Sequence, residues 1–241
     1  MSLAADDRGF TLGHGLFETI LFEGGVLQAW DAHLARLTRG CAVLGLPAPD
    51  LGACELAALD AAGGLARAAV RLTWSAGPGE RGLDPPADPK PRLTVTAAPS
   101  ALPVGPATLV TAHVRRNDQS PTSRLKSLSY LDNVLARAEA RAAGGDEALM
   151  LNTRGEIACA AAANVFWVRD GVVFTPALDC GVLDGVERAA VMARLDVREV
   201  RAGPADLAGA AIFLTNSLIG VRPVSHLDGV ELPRSDRITR S

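Results

Sequence analysis

Residues 120–140 read SPTSRLKSLSYLDNVLARAEA, and the fold is decided there. Ser120-Pro121 is a turn signal that breaks any preceding regular element. Beyond it, Leu128, Leu131, Val134, Leu135, Ala138 and Ala142 recur at helical spacing, which predicts a helix from about 128 to 143, closed by Gly144-Gly145. Between the turn and the helix stands Lys126. The chain has 24 basic residues, yet only Lys90 and Lys126 are lysines. A background that uses arginine wherever charge alone is needed marks a retained lysine as one needed as an amine, because arginine cannot deprotonate to become a nucleophile. Lys90 lies in the proline-bracketed loop ADPKPR and reads as a solvated charge. Four residues after Lys126 comes Tyr130, the single tyrosine of the chain; a packing role and a role at a cleft remain open for it.

Outward from this stretch, the polar run RRNDQSPTSR (115–124) reads as a linker. It divides the chain into a small N-terminal α/β subdomain (1–114) and a larger C-terminal subdomain (125–241). Upstream, ETILFE, the Gly24-Gly25 turn and VLQAW predict a hairpin over 17–30. Asp31 is expected to cap a helix carrying Leu34, Leu37, Cys41 and Leu44, and Asp50 to open a second, alanine-rich one. Strand-like ARAAVRLTWS, PRLTVTAA and ATLVTAHV follow. Downstream, EALMLN, IACA, NVFWVRD, VVFTP, AIFLTN and VRPVSHLDG read as strands, with a helix from Val186 to about Leu195. Strands and helices in both halves indicate an α/β fold of two subdomains around a central cleft, with Lys126 beside it.

Composition narrows the function classes. A hydrophobic fraction of 48% and a charged fraction of 21% fit a folded enzyme, and a net charge of −3 offers no reason to expect nucleic acid or an anionic membrane as partner. No apolar run reaches the roughly 20 residues of a membrane span, and Met1 to Asp7 lack a signal pattern, so a cytoplasmic location is expected. Cys41, Cys54, Cys159 and Cys180 have neither CxxC spacing nor a paired framework, and the four histidines are scattered, which argues against a metal site.

Two turns suit an anion. In GVLDGVER (181–188), Gly185 ahead of a helix lets the backbone amides of Val186 and Glu187 point at a ligand, with the helix dipole behind them. The Glu187 side chain is unfavourable for phosphate, so only its backbone serves. In TNS (215–217) a strand end offers hydroxyl and amide donors. Taken alone, each is as well read as ordinary turn chemistry. With an amine nucleophile, the set is what a phosphorylated aldehyde cofactor demands.

Across nearly the whole chain, from DDRGFTLGHGLFET (6–19) to VRPVSHLDG (221–229), the sequence resembles the class IV, or fold type IV, pyridoxal-phosphate enzymes. That group contains branched-chain and D-amino-acid aminotransferases and 4-amino-4-deoxychorismate lyase. The resemblance is carried by AHLARL (32–37), the 120–140 stretch, DEALMLNTRGEIA (146–158), AANVFWV (162–168), TPALDCGVLDGVER (175–188) and FLTNSLIGVRPV (213–224). It implies pyridoxal 5'-phosphate in the inter-domain cleft, Lys126 as the Schiff-base lysine, and Arg36 as a phosphate-binding arginine. It further implies Tyr130 near the cofactor's phenolic oxygen, Val186 and Glu187 as backbone phosphate donors, and Ser217 as the hydroxyl beside them. Asn164 matches a structural asparagine, Arg81 and Leu218 are expected on the substrate side, and a homodimer is expected.

The sequence departs from that pattern at several positions. Cys159 stands where the family places a glutamate against the pyridine nitrogen, and Glu156 is at an odd offset that points it to the other face of a strand. A thiol leaves the ring a weaker electron sink. Ala76 and His14 replace an arginine and an aspartate common in relatives, and a leading strand is expected to be missing. The wording KSLSYLDNVLA and AANVFW is that of the lyase branch. It implies conversion of 4-amino-4-deoxychorismate to 4-aminobenzoate and pyruvate, where ring aromatisation supplies driving force. An aminotransferase for branched-chain or D-amino acids, and a diverged binding protein without catalysis, are the alternatives.

Overall fold

The computed structural model describes residues 4–237. Its contacts divide the chain into two compact units, Met1–Ala101 with Leu125–Ser129, and Leu102–Arg124 with Tyr130–Ser241. The reading of Met1 to Asp7 lies partly outside the described residues.

The first unit opens with a short helix α1 (Arg8–Leu12), capped by the Asp7 side chain. Strand β1 (Gly15–Glu23) and the two-residue β2 (Val26–Leu27) form the hairpin, and helices α2 (Trp30–Leu44) and α3 (Leu51–Ala62) follow. Asp50 caps α3 as expected, accepting from the Ala53 amide at 2.9 Å. Asp31, expected to cap α2, lies in its first turn instead, and Ala29 holds the cap position in the left-handed conformation. Strands β3 (Arg67–Ser75) and β4 (Arg92–Pro99) complete a sheet of order β2-β1-β3-β4. Alternation sorts its residues by face. Leu16, Ile20, Val70 and Leu72 pack on Leu34 and Leu37 of α2 and Cys54 and Ala58 of α3 as one apolar core.

The second unit starts with β5 (Ala107–Thr111). The sequence groups this strand with the N-terminal subdomain, but it pairs in parallel with β6 (Glu147–Leu151) and β12 (Gly220–Leu227). Its apolar side chains are buried in that sheet, and so the division falls near residue 101, ahead of the polar run. Helix α4 (Leu131–Ala142) precedes β6, and β7 (Ile157–Ala160), β8 (Asn164–Arg169) and β9 (Val172–Pro176) follow. Helix α5 (Val186–Arg194), β10 (Val197–Val200), β11 (Ala211–Asn216), β12 and β13 (Val230–Glu231) end the chain, giving a nine-stranded mixed sheet. Strands β6, β7, β8 and β11 are buried on both faces, and their interiors accordingly read as apolar runs.

The polar run 115–124 is not a solvated linker. Arg116 is 7% exposed and donates to the Gly181 carbonyl, the Asn133 side chain and the Ser123 carbonyl. Asp118 is buried and accepts from the Thr153 hydroxyl and amide and from Arg154. Polar residues can be buried when each group finds a partner. Among the described residues, no helix is long and apolar enough to cross a membrane.

Candidate active site

Lys126 belongs to the first unit. The segment around it lies along β1 as an extra edge, with the Phe17 amide donating to the Lys126 carbonyl at 2.8 Å and the Leu128 amide to the Gly15 carbonyl at 3.0 Å. This pairing puts the Lys126 and Phe17 side chains on one face, and Nζ lies 4.2 Å from the centre of the Phe17 ring. The residue is half-buried. Lys90, by contrast, is 70% exposed and paired with Asp88, the solvated charge its loop predicted.

The next residue of β1 faces the other way. Glu18 is 1% exposed and accepts two bonds from Arg36, from Nε at 2.8 Å and from Nη2 at 2.5 Å. It also pairs with His33 Nδ1 at 2.8 Å. Burial raises the Glu18 carboxyl, but the bonds from Arg36 and His33 outweigh it and hold the group below its ordinary value. Arg36 is thus a clamped guanidinium whose orientation is set by a buried carboxylate. The sequence reading missed Glu18. Its signal was a charged residue in phase with Leu16, Ile20 and Phe22, on the apolar side of the strand.

Arg81 is exposed in the loop after β3. The adjoining residues are held by Arg8, which is 3% exposed and donates to the carbonyls of Gly82 and Leu83 at 3.3 and 2.7 Å. His14 accepts from Arg8 Nε at 3.4 Å, and Ala76 is buried with its amide on the His14 carbonyl. Arg8 was also unforeseen.

In the second unit, α5 starts at Gly185 with no side-chain cap. Ala189 is the first amide to bond back, to the Gly185 carbonyl, so the amides of Val186, Glu187 and Arg188 point out of the first turn. Only glycine fits at 185, where an added Cβ would meet Asn164 Oδ1 at 2.0 Å. Asn164 in turn donates to the Leu183 carbonyl at 2.9 Å and pins the approach to the helix. The Glu187 carboxyl lies 3.7 Å from Arg194, leaving its backbone as the donor, and burial raises its pKa. The turn after β11 is fixed by Asn216, whose Oδ1 accepts from the amides of Leu218 and Ile219 and whose Nδ2 donates to the Ala162 carbonyl. Ser217 and Leu218 sit on that turn. Beside it, the Thr215 hydroxyl is wholly buried without a hydrogen-bond partner. Three outward amides, a serine hydroxyl and an orphaned threonine hydroxyl form a donor set that fits a phosphate group.

Tyr130 occupies the N-cap position of α4 and is half-buried. Cys159 is 6% exposed, opposite Met150 in the sheet and packed among Ala112, Ala136, Ala148 and Ala161. Burial pushes its thiol up, Arg116 pulls it down and Glu147 adds to the rise. Glu156 makes no substitute: its carboxylate accepts from Asn152 and Arg154 at 2.7 Å. The nearby Glu147 is buried on Arg137 at 2.5 Å, with burial raising its pKa.

Comparison with known proteins places the whole chain among its relatives. The aminodeoxychorismate lyase of Vibrio harveyi is 30% identical over 236 residues, 93% of this chain and 87% of the relative. The D-alanine aminotransferase of Listeria monocytogenes is 28% identical over 96% of this chain and 84% of its own length. The crystal structure of 4-amino-4-deoxychorismate lyase from Pseudomonas aeruginosa superposes with a TM-score of 0.88 at 32% identity, covering 98% of this chain and 91% of that one. The family model for amino-transferase class IV matches residues 15–227. Its members are pyridoxal-phosphate-dependent enzymes of fold type IV, and this chain belongs to that family.

Proposed function

We propose that this protein is a pyridoxal-phosphate lyase that converts 4-amino-4-deoxychorismate to 4-aminobenzoate and pyruvate. The observation that carries the reading is Cys159, a neutral buried thiol among alanines at the position where the family's pattern has a glutamate. When bound, pyridoxal phosphate supplies an electron sink conjugated to the carbon that bears the substrate's amine. Without a carboxylate partner for the ring nitrogen that sink is weaker, and an elimination completed by ring aromatisation depends on it less than transamination does. Whole-length similarity to the Vibrio and Pseudomonas lyases supports the same choice.

In this reading Lys126 anchors the cofactor. Its Nζ, free as an amine, would take the proton from the substrate carbon that bears the amine. The family pattern assigns the phosphate to the amides of Val186 and Glu187, to the Ser217 hydroxyl and to Arg36, which Glu18 orients. The same pattern assigns Tyr130 to the phenolic oxygen and Arg81 and Leu218 to the substrate side. A homodimer in the cytoplasm completes the proposal. Exposed Leu131, Val134 and Leu135 at helical spacing on α4 support a partner surface.

Similarity to the Listeria enzyme favours a second reading, an aminotransferase for D- or branched-chain amino acids. Incubation of purified protein with 4-amino-4-deoxychorismate, and separately with D-alanine or leucine plus a keto acid, tests the two. Release of 4-aminobenzoate without keto-acid exchange is expected, and the reverse result overturns the lyase reading.

A further inference from the structure

Helix α5 carries a carboxyl in the same turn that presents its outward amides. Gly185 at the N-cap brings no side-chain acceptor, so the amides of Val186, Glu187 and Arg188 stay open to an anion. The floor beneath the helix is uncharged. Ala211 and Phe213 of β11 pack with Val191 of α5 in one apolar cluster, and Thr215, next on that face, is wholly buried with its hydroxyl unpartnered. Arg188 is committed to Glu199 and lies 3.8 Å from Asp184. The Glu187 side chain is 21% exposed, and its carboxyl lies 3.7 Å from Arg194, seven residues on and so about two turns along the same stripe of the helix. Arg194 is itself 50% exposed, and solvent weakens the pull of its charge. Burial raises the Glu187 carboxyl above its ordinary value, and Arg194 lowers it by less. A glutamate side chain keeps its carboxyl within about 5 Å of its own Cα, so an anion bonded to the Glu187 amide has that carboxyl within about 10 Å. Like charges at that range still repel where water is partly excluded.

We infer that the α5 site binds its phosphate together with a proton: the Glu187 carboxylate opposes the incoming anion and takes up a proton from solvent as the anion enters. The inference rests on the α5 turn as the phosphate site and adds a charge balance to it. Amide dipoles carry no net charge, so the carboxylate is the one group in this turn whose charge can be given up to a doubly negative ligand. The sign follows by linkage. While the carboxyl is neutral the anion binds most tightly. Affinity falls as pH rises through the carboxyl's titration in the empty site, and it levels off once the carboxyl ionises in the filled site as well. That titration lies above 4.5, and so does the fall. Arg36, which the family pattern assigns to the same phosphate, keeps its charge throughout and adds no slope.

The probe is sulfate, whose charge is constant between about pH 5 and about pH 8, titrated by calorimetry into the full chain freed of cofactor. Glu187→Gln removes the charge and keeps the shape. It is expected to bind sulfate about three- to tenfold tighter than the unmutated protein near pH 8, with the gap closing toward pH 5. Repeating the titration in buffers of different ionisation enthalpy should show proton uptake by the unmutated protein and less of it in Glu187→Gln. Arg194→Gln, which takes the cation from the carboxyl, should carry the fall in affinity to higher pH. Equal sulfate affinity in the unmutated protein and Glu187→Gln at both ends of the range overturns the inference and leaves the phosphate site standing. Absence of sulfate binding from both proteins throughout the range removes the site from α5, and the inference with it.

Discussion

The two sheets handle polar groups in opposite ways. The four-stranded sheet is two-sided: one face is the apolar core on α2 and α3, and the other carries Lys126, Phe17, Arg71 and threonines. Charge enters its core at Glu18, and there it is tied to Arg36 and His33. In the nine-stranded sheet β8 and β11 are apolar between their ends, and polar groups gather at strand ends and turns, where backbone amides of α5 and the Asn216 turn are presented. The first sheet thus presents charged and polar side chains, and the second presents mainly backbone amides and turn residues. Substitutions should therefore be far more telling in the first.

The largest effect is expected at Lys126. Lys126→Ala should abolish both the cofactor's visible band and turnover, and a borohydride-reducible adduct persisting in that variant would refute the assignment. Glu18→Gln comes next. It leaves Arg36 and His33 without their carboxylate and should cost about 3–5 kcal/mol in urea unfolding. Because the folded pKa of Glu18 lies below 4.5, its contribution is complete above that value and is lost as pH falls through the lowered one. The variant should therefore flatten the acid limb of the stability–pH curve, and an unchanged limb breaks the contrast drawn above.

A backbone-built anion site predicts smaller effects. Ser217→Ala should weaken cofactor binding by about 1–3 kcal/mol, the range for a hydrogen bond to a charged group, and Arg36→Ala at least as much; unchanged retention on dialysis in both would remove the phosphate site from these residues. Cys159→Glu sharpens the comparison from inside the apolar sheet. Overpacking there costs roughly 1–3 kcal/mol. If the folded variant keeps its cofactor, transamination should gain on lyase activity, and an unchanged ratio means this position does not tune the ring. Lys90→Ala, at an exposed ion pair, should change neither stability nor the band measurably.

Most elements were legible because their periods are clean, as in α3 behind Asp50 or β1 and β3 with their alternation. Strand β5 was assigned to the wrong half because a strand's partners are long-range: ATLVTAHV carries nothing that says it will pair with residues near 147 and 224. Arg116 and Asp118 looked like linker for a similar reason, since polarity alone does not reveal that Gly181, Asn133 and Thr153 will satisfy them. Lys126 stands out in the sequence through scarcity, as one of two lysines.

The edge pairing of residues 125–129 on β1 also bears on how the chain is built. Lys126 is delivered to a sheet whose other strands end by residue 99, after an excursion that makes β5 and the buried polar run of the second unit. During synthesis the first unit cannot finish until residue 129 has emerged, and a fragment cut at 114 lacks its last edge as well as its lysine. This non-local closure is the sort of contact that slows folding, and a shorter fragment leaves half of β1's outer edge open to pair with another chain.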